Sequence, residues 1–234
     1  MRLMLLSNST NFGGGYLDHA MEAIRAFLGP VRDPLFVPFA LKDRAAYTAR
    51  AASRFAAEGI TVRPLTEDAE GRRALDEAPA VFVGGGNTFR LLRALQDPGL
   101  LGLLRARAQA GMLYLGASAG TNIAAPTIRT TNDMPIVQPA SFDALGLVPF
   151  QINPHYLDAD PSSRHMGETR EERLREFLEE NDAVVVGLRE GSWLDVDGAR
   201  MTLHGAGARI FRRGADPREA SPGQSLDDLL APAS

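Results

Sequence analysis

The chain has 234 residues, 44% hydrophobic and 23% charged, with a formal net charge of −4. This is the balance of an ordinary globular chain of one domain, 1–234, and it excludes global disorder, collagen and a strongly basic nucleic-acid surface. Cysteine is absent, which removes disulfides, thiolate metal sites and a cysteine nucleophile together.

Short apolar runs alternate with helical patterns along the sequence. Leu3 to Leu6 reads as a buried first strand, ended by the polar Ser7 to Thr10. That apolar run is too short for a signal-peptide core, and no other stretch reaches membrane-spanning length. The expectation is a soluble cytoplasmic protein with no membrane or nucleic-acid partner. Tyr16 to Leu28 has helical apolar spacing and stops at Gly29-Pro30; Leu35 to Phe39 is the next strand. Asp43 to Ala57 predicts an alanine-rich helix, Ile60 to Leu65 a third strand, and Glu67 to Ala78 a short helix. Ala80 to Val83 is a strand that stops at Gly84-Gly85-Gly86, after which Asn87-Thr88 opens another helix. A helix over Leu100 to Ala110 precedes the strand Met112 to Leu115.

The middle of the chain, Ala125 to Gln151, is irregular and rich in Thr, Asn and Pro. Gln151 to Asn153 reads as a short strand, Thr169 to Glu180 as a helix, and Ala183 to Leu188 as a continuous Val-rich strand. Trp193 to Val196, Met201 to His204 and Arg209 to Arg212 read as a small C-terminal β-meander. The polar tail of about 214–234 is expected to be loosely ordered. Strand–helix alternation with continuous apolar strands predicts an α/β fold, a mainly parallel central sheet sandwiched by helices. Ligands of such sheets bind beyond the carboxyl ends of the strands.

The chemistry concentrates at such ends. Gly116-Ala117-Ser118-Ala119-Gly120 is a G-x-S-x-G placed after a strand and before a helical segment. A nucleophilic serine on a strained strand-to-helix turn tolerates only small neighbours, and all four here are Gly or Ala. The following helix aims its N–H groups at the serine and at any developing oxyanion. Serine needs a base, and the chain holds four histidines: His19, His155, His165 and His204. His155 stands out because it follows the short strand QIN and a proline. A histidine base needs an orienting carboxylate, and two compete: Glu190 at the end of AVVVGL, and Asp133 in the loop TTNDMP. The spacing does not choose between them. The triple glycine at 84–86 permits close backbone approach, for an oxyanion donor or for a phosphate, but matches neither common phosphate-binding pattern. Asp158, Asp160 and His165 cluster in one loop at a spacing that fits no zinc site, so no metal and no cofactor are expected. Lys42, the one lysine, is the only possible lysine catalyst.

The segments LLSNST, VPFA, VGGGNTFRLL, GASAGTNIAAPTIRTTNDMPIV, QINPHY, GETREER and VVGLREGSW together resemble peptidase E, the α-aspartyl dipeptidase family of serine peptidases. The likeness runs from Leu5 to about Trp193; cyanophycinases share the architecture more distantly. The resemblance implies a class I glutamine-amidotransferase-like fold and hydrolysis of dipeptides with an N-terminal aspartate (Asp-Xaa). It implies Ser118 as nucleophile, His155 as base, and Gly86 and Ala119 as oxyanion-hole donors. The family's acidic partner falls on Glu190 or on Asp133; the strand-end position favours Glu190 as orienter and leaves Asp133 to shape the site. Arg170 in GETREER is the first choice for the substrate's β-carboxylate, with Arg129 and Asn87 as further substrate-binding residues. The implied partner is a small peptide, and a homodimer is possible. Departures from the family pattern are few: Ala117 replaces a larger aromatic, Thr121 an alanine, Ala125 a cysteine and Tyr156 a phenylalanine. The loop from Tyr156 to Gly167 is one residue longer.

Overall fold

The computed structural model describes residues 1–160, 162 and 167–231. Five strands, β1 (Arg2–Leu6), β2 (Leu35–Val37), β3 (Arg63–Pro64), β4 (Ala80–Val83) and β5 (Leu113–Ala117), pair in parallel. Between them run α1 (Met21–Leu28), α2 (Arg44–Ala56), α3 (Ala69–Glu77), α4 (Thr88–Gln96) and α5 (Leu100–Gln109). The short α6 (Ala119–Asn122) follows β5 directly. The chain then builds a second sheet from β6 (Gln151–Tyr156) and, after α7 (Arg170–Glu180), the parallel β7 (Val185–Arg189). β8 (Trp193–Asp197) and β9 (Arg200–His204) return to the first sheet as an antiparallel hairpin on β1. β10 (Ala208–Phe211) and β11 (Arg218–Ala220) complete the second. The sheet orders are β3-β2-β4-β5-β1-β8-β9 and β11-β10-β7-β6.

The continuous apolar strands are explained by burial on both faces. In β1, Leu3 and Leu5 point into the core shared with α4, α5 and the second sheet, while Met4 and Leu6 point into the core under α1 and α2. β4 splits the same way, with Val81 and Val83 on one side and Ala80 and Phe82 on the other. The second sheet turns Ile152, Val186, Leu188 and Ile210 toward the larger core. Its outer face, Tyr156, Val185 and Phe211, packs against Leu174 and Leu178 of α7. Local chemistry starts the helices. Asp43, Asp68 and Asn87 accept N-terminal amides of α2, α3 and α4, and Thr169 with Glu172 forms a capping box on α7.

Three sequence expectations are corrected. The C-terminal strands do not form a meander: β8 and β9 pair, but β10 joins β7 in the other sheet. The loop after β9 is tied to Ser192, whose hydroxyl donates to the Gly207 carbonyl and accepts the Ala206 amide. A Cβ on Gly205 would overlap the Gly191 carbonyl. This close docking turns the chain away from a third meander strand. The tail is not loose up to residue 231. β11 pairs with β10, and Leu226 and Leu229 are buried in the main core. The third strand is shorter than its apolar run, covering Arg63–Pro64 alone.

Candidate active site

Ser118 sits between β5 and α6 with φ 54° and ψ −109°, a conformation that costs a non-glycine residue energy and persists only where packing enforces it. The packing is visible. Ser118 donates its N–H to the Leu6 carbonyl of β1 at 3.0 Å, and the same carbonyl accepts the Thr121 hydroxyl at 2.6 Å. A Cβ on Gly116 would lie 2.6 Å from the Gly120 carbonyl, and one on Gly120 would overlap the Val83 carbonyl. The glycines of G-x-S-x-G are therefore contacts: nothing larger lets the turn close. Thr121, a departure from the family pattern, uses its hydroxyl to tie α6 to both β1 and Gly116.

His155 comes from the second sheet. The sequence reads this strand as ending at Asn153, but β6 runs on through Tyr156 with a register break between Pro154 and Tyr156. His155 is the residue at the break, with φ 53°. A bulge of this kind re-aims one side chain out of the pleat, and here it aims the imidazole at the serine. The His155 N–H, released from the ladder, donates to Ser7 Oγ at 2.9 Å, and Ser7 Oγ donates to the Leu188 carbonyl at 2.7 Å. Ser7, at the end of β1, thus joins the two sheets beneath the site. β6 is the edge of its sheet, and the RTTND segment covers that edge. Thr130 donates to the Ile152 carbonyl, Asn132 to the Pro154 carbonyl, and Asn153 to Asn132.

The triad geometry follows. His155 Nε2 lies 2.9 Å from Ser118 Oγ, and Nδ1 lies 2.6 Å from Glu190 Oε1. Glu190 directly follows β7, which pairs with β6, and its turn is held where Asn8 Oδ1 accepts the Gly191 N–H at 2.8 Å. Asp133 does not touch the imidazole. Its Oδ2 accepts the Thr88 N–H at 2.7 Å and the Thr88 hydroxyl at 2.6 Å, at the N-terminus of α4. Its Oδ1 has no hydrogen bond among the described residues, and Asp133 lines the cleft.

Gly85 packs against the serine: a Cβ there would sit 2.9 Å from Ser118 Cβ. Gly86, at φ 133°, follows in a conformation that favours glycine. The amides of Gly86 and Ala119 have no acceptor among the described residues, leaving two donors flanking the serine. Gly85, Gly86, Ser118, Asp133, His155 and Glu190 line one open cleft of about 920 Å³.

The remaining sequence candidates separate. Arg170, the first residue of α7, lines the cleft near Asp133. Burial and the neighbouring Arg173 pull its pKa down from the ordinary arginine value, and Asp133 pulls it up. Arg129 is exposed outside the cleft, its guanidinium 5.9 Å from the Phe142 ring centroid. Asn87 is the N-cap of α4, accepting the Arg90 N–H and donating to the Met134 carbonyl, and it does not line the cleft. His165 lies outside the described residues. Asp158 is bidentate on Arg189, and Asp160 accepts the Ser162 hydroxyl. Arg50, Tyr47 and Arg189 line the cleft without having been singled out. The strand-end position of Arg189, one residue before Glu190, was a usable signal. Arg50 sits in an alanine-rich helix that offers none.

Comparison with known proteins agrees with this geometry. The family model for peptidase family S51 matches residues 3–204. The chain is 60% identical over 231 residues to peptidase E of Streptomyces coelicolor, covering 98% of this chain and 95% of that one. It is 46% identical over 232 residues to a "Probable alpha-aspartyl dipeptidase" of Drosophila melanogaster, covering 97% of each. In fold it resembles the crystal structure of a peptidase from an acI-B1 Actinobacterium, with a TM-score of 0.72, 17% identity and 96% of each chain covered. With a full-length match at such identities, and a serine, histidine and carboxylate in hydrogen-bonded series at the strand ends, the chain belongs to peptidase family S51.

Proposed function

We propose that the chain is a single catalytic domain, a serine-type dipeptidase that releases N-terminal aspartate from Asp-Xaa peptides through an acyl-enzyme on Ser118. The observation that carries this reading is the Ser118–His155–Glu190 series, with hydrogen bonds of 2.9 and 2.6 Å. Nδ1–H donates to Glu190, which orients the ring and leaves the Nε2 lone pair for the serine proton. Ser118 Oγ attacks the scissile carbonyl as its proton passes to Nε2. The oxyanion forms against the Gly86 and Ala119 amides, each such donor being worth about 2.7–4 kcal/mol in comparable sites. The intermediate collapses as Nε2–H protonates the leaving amine. Water then gives a proton to Nε2 and attacks the ester, and Nε2–H returns that proton to Ser118 Oγ as aspartate leaves.

Recognition of the N-terminal aspartate rests on a pair of opposite charges at the cleft wall. Arg170 suits the β-carboxylate, since a guanidinium makes planar two-point contacts. Asp133 Oδ1, unbonded and beside it, suits the α-ammonium. A cytoplasmic setting is part of the proposal and is supported by the absence of cysteine. So is a homodimer, for which exposed Met134 and Ile136 offer apolar surface.

The test is release of free aspartate from Asp-Leu, beside Glu-Leu, Leu-Leu and N-acetyl-Asp-Leu, with Ser118→Ala as control. Cleavage of Asp-Leu alone is expected, abolished in Ser118→Ala with an unchanged melting temperature. Retained hydrolysis in that variant would remove Ser118 from the mechanism.

A further inference from the structure

An Asp-Xaa dipeptide carries two carboxylates, one on each side of the scissile carbonyl carbon and each three bonds from it. Among the described residues, three arginines line the cleft: Arg50, Arg170 and Arg189. Arg189 is already neutralised, bidentate on Asp158 at 2.7 and 2.8 Å and paired with Glu219 at 2.9 Å. Arg170 is taken by the β-carboxylate in the reading above. That leaves Arg50, which has no carboxylate partner among the described residues. Its guanidinium lies instead 4.8 Å from the Tyr16 ring centroid and 4.9 Å from that of Tyr47.

Those two rings form a support. They meet edge to face, with centroids 6.3 Å apart and hydroxyls 3.4 Å apart. Burial raises both phenol pKa values, so the rings stay neutral and present electron-rich faces to the cation. The Tyr47 hydroxyl rests on the glycine loop: a Cβ on Gly84 would lie 2.5 Å from it, and the next residue, Gly85, packs on Ser118. Ser118, Gly85, Tyr47 and Arg50 are thus consecutive neighbours along the wall of the cleft that starts at the glycine loop. The cation is exposed, held by stacking, and not committed to any anion among the described residues.

We propose that Arg50 binds the C-terminal carboxylate of the leaving residue and so makes the site selective for dipeptides. This rests on the dipeptidase reading and deepens it. A peptide longer by one residue moves its carboxylate away from Arg50 and places an uncharged amide there. An amidated dipeptide does the same without adding length, and is the cleaner probe.

The experiment compares kcat/KM on Asp-Leu and on Asp-Leu-amide, for the unmodified protein and for Arg50→Gln and Arg50→Lys. The unmodified protein is expected to favour the free carboxylate at least tenfold. Arg50→Gln is expected to collapse that ratio toward one, chiefly through a higher KM for Asp-Leu, and Arg50→Lys to restore part of it. A ratio indifferent to both substitutions overturns the assignment of Arg50 while leaving the dipeptidase reading intact. If the unmodified protein cleaves neither peptide, the dipeptidase reading falls and this assignment falls with it.

Discussion

Ser118 leaves a parallel strand inside the seven-stranded sheet, whereas His155 and Glu190 leave neighbouring strands of the four-stranded one. The serine turn is closed by glycines against backbone, and among the described residues no side chain but His155 hydrogen-bonds to Ser118. The histidine side is held by polar side chains: Ser7 under His155, Asn132 and Thr130 on the β6 edge, and Asn8 on the turn after Glu190. Close steric contact dominates one half of the site, with the Thr121 hydroxyl assisting, and side-chain hydrogen bonds dominate the other. The first kind of constraint leaves a local mark in the sequence, a run of small residues. The second is spread over residues far apart in the chain and leaves none.

The two carboxylates of the site give the largest contrast to break. Glu190 touches the imidazole; Asp133 touches the α4 N-terminus and the cleft. Glu190→Gln keeps the shape but offers His155 Nδ1 no charge. Loss of the equivalent contact in a buried triad costs about 10⁴-fold in kcat. Here the Glu190 and His155 side chains are 55% and 40% exposed, so solvent screens the pair and a fall of about 10²- to 10³-fold in kcat is expected at little change in KM. Asp133→Asn should instead raise KM, about tenfold or more, since a hydrogen bond to a charged group is worth about 1.5–3 kcal/mol. It should also narrow the preference of the enzyme for a free over an acetylated amine. Steady-state kinetics on Asp-Leu and N-acetyl-Asp-Leu separate the two patterns. A kcat collapse in Asp133→Asn with kcat intact in Glu190→Gln would exchange their roles.

Ser7→Ala sharpens the comparison where the two sheets meet. The hydroxyl serves both the His155 N–H and the Leu188 carbonyl and is fully buried. Its removal leaves a donor and an acceptor unpaired, at a cost of about 1–3 kcal/mol, or roughly 2–4 °C of melting temperature per kcal/mol. Because His155 holds φ 53° through this contact, a fall of about tenfold in kcat is expected without a matching rise in KM. Ser7 is a positioning residue on this account. A variant that melts lower but turns over at the full rate would make its role purely structural.

The same contrast explains what could be read in the sequence. The parallel strands and their helices were legible because strands buried on both faces are continuous apolar runs, as in Leu3 to Leu6 and Ala80 to Val83. Ser118 was legible because the elbow excludes side chains within two residues on either side. His155 was legible only by its neighbourhood: a bulge is a register event and has no composition of its own. Between Glu190 and Asp133 the strand-end position favours Glu190, but spacing alone does not choose, because both carboxylates line the same cleft and only distance separates them. The false meander arose because β9 and β10 flank a glycine-rich turn, as a hairpin would, while the contacts that divert β10 come from Ser192 and Gly191. The tail is not legible because its few large apolar residues, Leu226, Leu229 and Leu230, flank two aspartates in a polar stretch, yet Leu226 and Leu229 are buried. Asn87 does not line the cleft; its side chain caps the helix that the glycine loop leads into.

The smallest expected effect lies on the histidine side, at the rim, where Asp158 is bidentate on Arg189. The Arg189 hydrogen bonds hold the Asp158 carboxyl below its ordinary value, more than desolvation raises it, with the charges of Arg189 and Arg209 adding to the effect. A carboxyl depressed in the folded state binds fewer protons there than in the unfolded state. It therefore stabilises the fold above its unfolded value of about 3.9, and the gain is lost as pH falls through the lower folded value. With the Asp158 side chain 47% exposed, solvent screening limits the pair to about 1 kcal/mol or less. Asp158→Asn should thus melt no more than about 2–4 °C below the unmodified protein at pH 7. The two melting curves should converge as the pH drops below the carboxylate range, while Arg189 keeps its contact with Glu219. A gap that persists unchanged at low pH would assign the Asp158 contribution to hydrogen-bond geometry alone, and the rim of the histidine side would then be held as the serine side is, by shape.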